Sequence, residues 1–354
     1  MNERQRGAKV SLAVKYRPKC WEDVTEQSVV KDILENQVQT KTVQSAYLFT
    51  GPSGTGKTTS ARIFANMIND GKGNPIEIDA ASHSSVDGIR NIIEDAKRKP
   101  LDSDYKVFIL DEVHSLSNQA FQALLKVLEE PPKFSIFILA TTDPQRIPAT
   151  ILSRVQRFQF NKISNQGIVD RLTTILEAES ELIDDLDKQI SWDLEALEYI
   201  SKVSSGGMRD SITLMDKCLS LSNELTLENV LKTIGSESYE TFFEFLNRLC
   251  NKEQHSITAI ENVFNAGKDV KQFMKEFGKF ILDVEKYLIY ESTDYINIPA
   301  TQENINQLKE LELLRNEVFN VMELVVNINN KIKWDSDPKT LIELEILLYC
   351  GKEE

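Results

Sequence analysis

Cysteine is scarce and scattered. Only Cys20, Cys218, Cys250 and Cys350 occur in the 354 residues, and no two lie within a few positions of each other. That spacing excludes a zinc knuckle or CxxC redox motif built from neighbouring residues. It points instead to unpaired thiols in a reducing compartment, hence a cytoplasmic protein. Histidine is scarcer still, and His83, His114 and His255 are too far apart to form a local metal motif. No run of about 18 apolar residues is present, which argues against a membrane-spanning helix. The opening residues MNERQRGAKVSLAVKYRPK are basic but lack an apolar core and a small-residue cleavage site, so no signal peptide is expected. Positive charge is in deficit, with 41 Lys and Arg against 55 Asp and Glu, a net charge of −14. This argues against a protein that coats nucleic acid through overall charge. Local basic groups or helix N-termini need no such excess.

What is present is a globular composition, 41% hydrophobic and 27% charged, in a chain long enough for two or three domains. Through residue ~160, short apolar runs alternate with helical stripes, the mark of a parallel α/β sheet. Strands are expected at 46–50 (AYLFT), 75–79 (PIEID), 107–110 (VFIL), 135–140 (SIFILA) and 155–160. Helices are expected at 58–68, at 85–97 with apolar Val86, Ile89, Ile92 and Ile93, and at 119–129, ended by Pro131 and Pro132. After Ile163 the strand pattern stops, and amphipathic helices such as 168–179 and 194–201 follow. Gly206-Gly207 separates two helical stretches. Gly235-Ser236 marks a second boundary, and residues 292–304 read as a polar linker.

Residues 51–59 read GPSGTGKTT between an apolar strand and a helix, which is the context a Walker A loop requires. Gly51, Gly54 and Gly56 let backbone N–H groups turn inward around phosphates, with Pro52, Ser53, Thr55 and Thr59 completing the loop. Lys57 supplies a point charge for the β- and γ-phosphates, and the Thr58 hydroxyl can ligate Mg²⁺. The helix that starts there adds its positive dipole end. Asp111 and Glu112 follow the strand VFIL. Asp111 can reach the Mg²⁺ shell, and Glu112 can orient and polarise the attacking water. His114 completes DEVH, a pattern shared with DExH helicases, but a solvated or structural histidine is the commoner case. ATP and Mg²⁺ are therefore the expected ligands, and ATP hydrolysis the expected reaction.

Taken together these residues resemble an AAA+ ATPase, and in detail the clamp-loader subunits of the bacterial DNA polymerase III gamma/tau family. The matching segments run in order: Tyr16-Arg17-Pro18 with Trp21-Glu22-Asp23-Val24; GPSGTGKTT; IEIDAAS at 76–82; LDEVHSLS at 110–117; FQALLKVLEEPP at 121–132; LATTDPQRIPATILSR at 139–154; and GGMRDS at 206–211. A weaker echo, GKDVKQF, lies at 267–273. The resemblance implies an α/β AAA+ ATPase domain over 1–162, a helical lid over 163–235 and a helical collar for oligomerisation over 236–354. It implies that Thr142 is sensor 1, that Arg154 is an arginine finger reaching a neighbouring subunit's site, and that Arg209 is sensor 2. Val14, Tyr16, Arg17 and Pro18 match the segment that packs on the adenine.

Three departures stand out. The zinc module usual in bacterial members is replaced by NMINDGKGNP at 66–75, so no structural zinc is expected. The cysteine after the finger's serine and arginine is Val155. After IDAAS the chain has His83, Ser84 and Ser85, then Arg90, where the family often has basic residues. DNA contact is therefore expected from Ser84, Ser85, Arg90 and helix N-terminal N–H groups. No long tau-like C-terminal extension is read, and the compact chain suits a phage or otherwise divergent replication system. The function implied is that of a motor subunit in a homo- or hetero-pentamer. It would open a sliding clamp and place it on primer–template DNA, hydrolysing ATP under stimulation by clamp and DNA. The alternatives are another AAA+ machine on DNA, such as a branch-migration motor or helicase loader, and a non-hydrolysing structural loader subunit.

Overall fold

Strand β1 (Ala46–Thr50) is buried on both faces, with Tyr47, Leu48 and Phe49 fully inaccessible. A strand with no solvent face belongs in the middle of a parallel sheet covered by helices. In the computed structural model, which describes residues 10–82, 86–183, 189–234, 239–299, 301–333 and 335–351, that is its position. The sheet has the order β2-β3-β4-β1-β5 and every pairing is parallel. Its other strands are β2 (Ile76–Asp79), β3 (Lys106–Asp111), β4 (Ser135–Thr141) and β5 (Gln156–Gln159). All five expected strands are present. β3 runs one residue further at each end than expected and takes in Asp111, and the edge strand β2 leaves out Pro75.

Alternation along the strands divides the core into two layers. Leu48, Phe108, Leu110, Phe137 and Leu139 face helices α4 (Val86–Ala96) and α5 (Asn118–Glu129). Tyr47, Phe49, Ile109 and Ile138 face α2 (Ser28–Gln39) and α3 (Lys57–Ile68). A four-residue helix α1 (Leu12–Lys15) precedes them, and α6 (Ala149–Leu152) leads into β5. The connection from β1 to β2 passes over β4 and β3. The C-terminal ends of β1, β3 and β4 therefore lie together at a topological switch point, where open α/β sheets bind ligands.

The chain divides into two compact units, one drawn from residues up to 190 and 200–217, the other from 191–199 and 218 onward. The first unit holds the sheet, α7 (Asn165–Glu181) and the residues 200–217 contributed by α8 (Leu194–Val203) and α9 (Met208–Leu221). The second is mainly helical: α10 (Leu227–Ile234), α11 (Tyr239–Cys250), α12 (Ile257–Asn265), α13 (Val270–Tyr290), α14 (Gln302–Glu310), α15 (Arg315–Ile332) and α16 (Pro338–Cys350). Phenylalanines of α11 and α13 pack in its core beside aliphatic residues of α12, α15 and α16, with Phe245 and Phe277 ring centroids 4.7 Å apart and Phe243 edge-on to Phe280 at 4.8 Å. The expectation that strands end after Ile163 needs correction. Ser191–Trp192 (β6) and Glu224–Leu225 (β7) pair in parallel. Two residues are too few for any period to register in sequence. The boundary expected at Gly235-Ser236 lies outside the described residues. No described helix is long and apolar enough to cross a membrane.

Candidate nucleotide site

Glycine shapes the loop between β1 and α3. Gly51, Gly54 and Gly56 have φ of 149°, 73° and 96°, a region that side chains rarely adopt. Space also closes two of these positions. A Cβ on Gly51 would lie 2.3 Å from the Phe160 carbonyl oxygen, and one on Gly54 would lie 2.9 Å from Cα of Gly207. The first N–H groups of α3 have no partner within the helix, and with its dipole they form an anion cradle. Lys57 is buried, and its Nζ donates to the carbonyls of Gly51 and Pro52, each at 2.8 Å. Burial lowers its pKa, an effect that nearby Glu112 and Asp111 oppose.

The oxygens that could hold a cation come from two elements. Thr58 Oγ1 donates to Asp111 Oδ2 at 2.6 Å, joining the first turn of α3 to the end of β3. The other Asp111 oxygen accepts the Glu112 N–H at 3.0 Å. Glu112 itself is left-handed at φ 48° and ψ 45°, which costs a non-glycine residue about 1–2 kcal/mol. Its Oε2 accepts from the Thr142 hydroxyl at 3.1 Å and the Thr142 N–H at 3.4 Å, and lies 3.2 Å from His114 Nδ1. Thr142 follows β4, so the carboxylate is tethered across the strand ends.

A cavity of about 600 Å³ opens above this loop, within the range of small-molecule sites. Val14, Tyr16, Arg17 and Pro18 line it, as do residues 53–59, Asp111, Glu112 and Arg209. Arg17 turns to the phosphate end, where its Nε donates to Thr59 Oγ1 at 3.2 Å. Burial, and then the like charge of Arg62, lower its pKa, while Glu77 and Asp111 act in the opposite sense. Arg209 is held close by the backbone. Met208 N–H donates to the Gly54 carbonyl at 3.0 Å, and Gly206, at φ 88°, passes tightly against Lys162. The residues present fit a nucleoside triphosphate with a divalent cation. Added side chains would fill the cradle, the ammonium is buried at the loop, and hard oxygens converge at Thr58 and Asp111.

Arg154 is not among the residues lining the cavity. Exposed after α6, its Nη1 donates to the Thr150 carbonyl at 2.8 Å and its Nη2 to Glu129 Oε1 at 2.7 Å. Arg90 is exposed on α4, bonded to Asp87 at 3.1 Å, away from the cavity. Ser84 and Ser85, with His83, lie outside the described residues. Sequence reasoning missed Arg171, whose Nη2 donates to the Tyr16 carbonyl at 3.2 Å, and the Ile212 and Thr213 side of α9. The last two are accessible in principle, since they follow Arg209 by three and four residues on one helix face. Arg171 carries no motif.

This fold and this site define a P-loop nucleoside triphosphatase of the AAA+ class. A point mutant of Thermotoga maritima RuvB has the same fold, with a TM-score of 0.50 and 19% identity over 72% of this chain and 87% of that one. A family model described as DNA polymerase III, delta subunit, matches residues 74–164. The chain is 30% identical to DNA polymerase III subunit gamma of Buchnera aphidicola subsp. Schizaphis graminum, over 97% of this chain and 92% of that protein. It is 33% identical to DNA polymerase III subunit tau of Bacillus subtilis over 95% of its own length, and spans 62% of that relative. The chain belongs to the DNA polymerase III gamma/tau family of clamp-loader AAA+ subunits.

Proposed function

We propose that this chain is an ATP-driven motor subunit of a sliding-clamp loader, acting in the cytoplasm to open the clamp and place it on primer–template DNA. The observation that carries the reading is the position of Arg154. Lys57, Thr58, Asp111, Glu112 and Arg209 line one cavity, whereas Arg154 is turned to the surface on Glu129. Such a site is completed by a neighbour, as in a ring or spiral of subunits. The division into an ATPase domain over 1–162, a lid over 163–235 and a collar over 236–354 belongs to the same proposal. So does assembly into a homo- or hetero-pentamer.

In this reading the loop N–H groups and Lys57 bind the β- and γ-phosphates. Thr58 and Asp111 would hold Mg²⁺, which would supply positive charge to offset the negative charge developing on the phosphates. Glu112 orients the attacking water and draws on its proton. Thr142 keeps that carboxylate in line, and Arg209 faces the phosphates from the same chain. Val14, Tyr16 and Pro18 enclose the base, while Arg17 serves the phosphate end. Arg154 of the adjoining subunit supplies transition-state charge, an effect worth about 10³–10⁵ in rate where arginine fingers act. DNA is met by Arg90 on α4, by backbone N–H groups at the start of that helix, and by Ser84 and Ser85.

The test is steady-state ATP hydrolysis with and without clamp and primed DNA. Hydrolysis should rise when both are added, and Arg154→Ala should abolish most of that rise while leaving ATP binding intact. No response of the wild type to either addition, together with no association with a clamp, would favour another AAA+ machine on DNA. An undiminished rise in Arg154→Ala would remove the trans finger.

A further inference from the structure

In sequence His114 is a bystander to the two carboxylates before it, and its surroundings say otherwise. It sits on the single 3-10 turn Val113–Ser115 that the left-handed Glu112 initiates. That reversal brings the imidazole back onto the carboxylate, with Nδ1 at 3.2 Å from Glu112 Oε2. The same nitrogen lies 3.0 Å from Oγ1 of Thr141, the last residue of β4. Thr141 is fully buried, and its hydroxyl also accepts the Asp143 N–H at 3.0 Å, so the ring is fixed to the strand end rather than to a mobile side chain. An unprotonated Nδ1 would set its lone pair beside the Glu112 carboxylate, which repels it, so the proton belongs on Nδ1 and the imidazole donates to Thr141. Thr142, the next residue, donates to the same Oε2 at 3.1 Å.

From this geometry we infer that His114 is a positioning residue. Its Nδ1, hydrogen-bonded to Thr141 with the Glu112 carboxylate 3.2 Å away, works with Thr142 to set the direction in which Glu112 presents its carboxylate to water. This rests on the reading that Glu112 orients the attacking water. The left-handed backbone at Glu112 fits the same purpose, since it is what turns His114 back onto the carboxylate. His114 need not touch nucleotide, water or metal. Its effect passes through one carboxylate, so substrate affinity is unaffected and turnover is not.

The experiment uses the full chain and three substitutions. Asn carries a donor nitrogen where Nδ1 stood. Gln moves its nitrogen to the Nε2 position, and Phe keeps the ring without a donor. Each is measured for kcat and KM of Mg-ATP hydrolysis, nucleotide Kd by a fluorescent analogue, and Tm, beside Glu112→Gln. His114→Phe and His114→Gln should lose about tenfold or more in kcat, as misoriented groups do. KM and Kd should stay within about twofold, and His114→Asn should recover most of the lost rate. A folded His114→Phe with wild-type kcat overturns the inference. So does a loss seen equally in Kd or tracking Tm, which would mark a structural histidine, and so does His114→Asn falling as far as His114→Phe. Glu112→Gln separates the two levels. If it retains hydrolysis, the reading of Glu112 fails. If it is inactive while the His114 variants are not, only the role of His114 fails.

Discussion

Gly54 carries two constraints that a side chain would violate together. Its φ is 73°, and an added Cβ would lie 2.9 Å from Gly207 Cα and 3.2 Å from the Gly207 carbonyl carbon. Neither neighbour can rotate away, because both are backbone atoms, and the Gly54 carbonyl accepts the Met208 N–H at 3.0 Å. Gly54→Ala should therefore push the 206–209 turn off the loop and carry Arg209 with it. The expected outcome is nucleotide affinity reduced at least about tenfold, with backbone strain of about 1–3 kcal/mol appearing as a lower Tm. Isothermal titration and thermal melts check it, and unchanged affinity would mean that the turn does not govern the site. Residues of this kind are only half legible in sequence. GPSGTGKTT announces itself because its parts are contiguous, and Asp111-Glu112 because they end an apolar strand. The bond from Met208 to Gly54, the turn of Arg17 toward Thr59 and the meeting of His114 with Thr141 join residues far apart in the chain. No spacing rule records them.

Elements are legible where burial imposes a pattern. Strands β1, β3 and β4 read as apolar runs because both faces are covered, and α5 announces its start and stop. Ser117 Oγ accepts the Ala120 N–H at 3.2 Å as the N-cap, and Pro131 and Pro132 follow its end. Helix α2 escapes the sequence reading although Val30, Leu34 and Gln37 form a buried stripe. Val29 and Ile33 face solvent on the same helix, at 68% and 39% exposure, and blur that stripe in sequence. The α5 cap is testable in isolation from the chemistry. Ser117→Ala should cost about 1 kcal/mol. In a domain of this size that lowers Tm by about 2–4 °C, with nucleotide affinity unchanged. The melting shift is the measurement. A loss of affinity beyond it would tie α5 to the site through the turn between β3 and α5, where Glu112 and His114 sit.

At the scale of the whole molecule, the proposed function turns on a site that a neighbouring copy would complete. Lys57, Thr58, Asp111, Glu112 and Arg209 line the cavity within one chain, whereas Arg154 rests against Glu129 at the surface. Head-to-tail assembly lets the surface of one copy complete the site of the next. This predicts complementation. Arg154→Ala keeps the P-loop and lacks the finger, while Lys57→Ala keeps the finger and lacks the P-loop. Each alone should be nearly inactive in assemblies where this chain adjoins itself. Mixed in equal parts before assembly, they create interfaces in which an intact P-loop faces an intact finger, at random about a quarter of the total. Stimulated hydrolysis should return to a comparable fraction of wild type and scale with the product of the two mole fractions. Activity in Arg154→Ala alone would show that the finger is dispensable. No recovery on mixing, with assembly confirmed by native mass, would mean that Arg154 acts within its own chain.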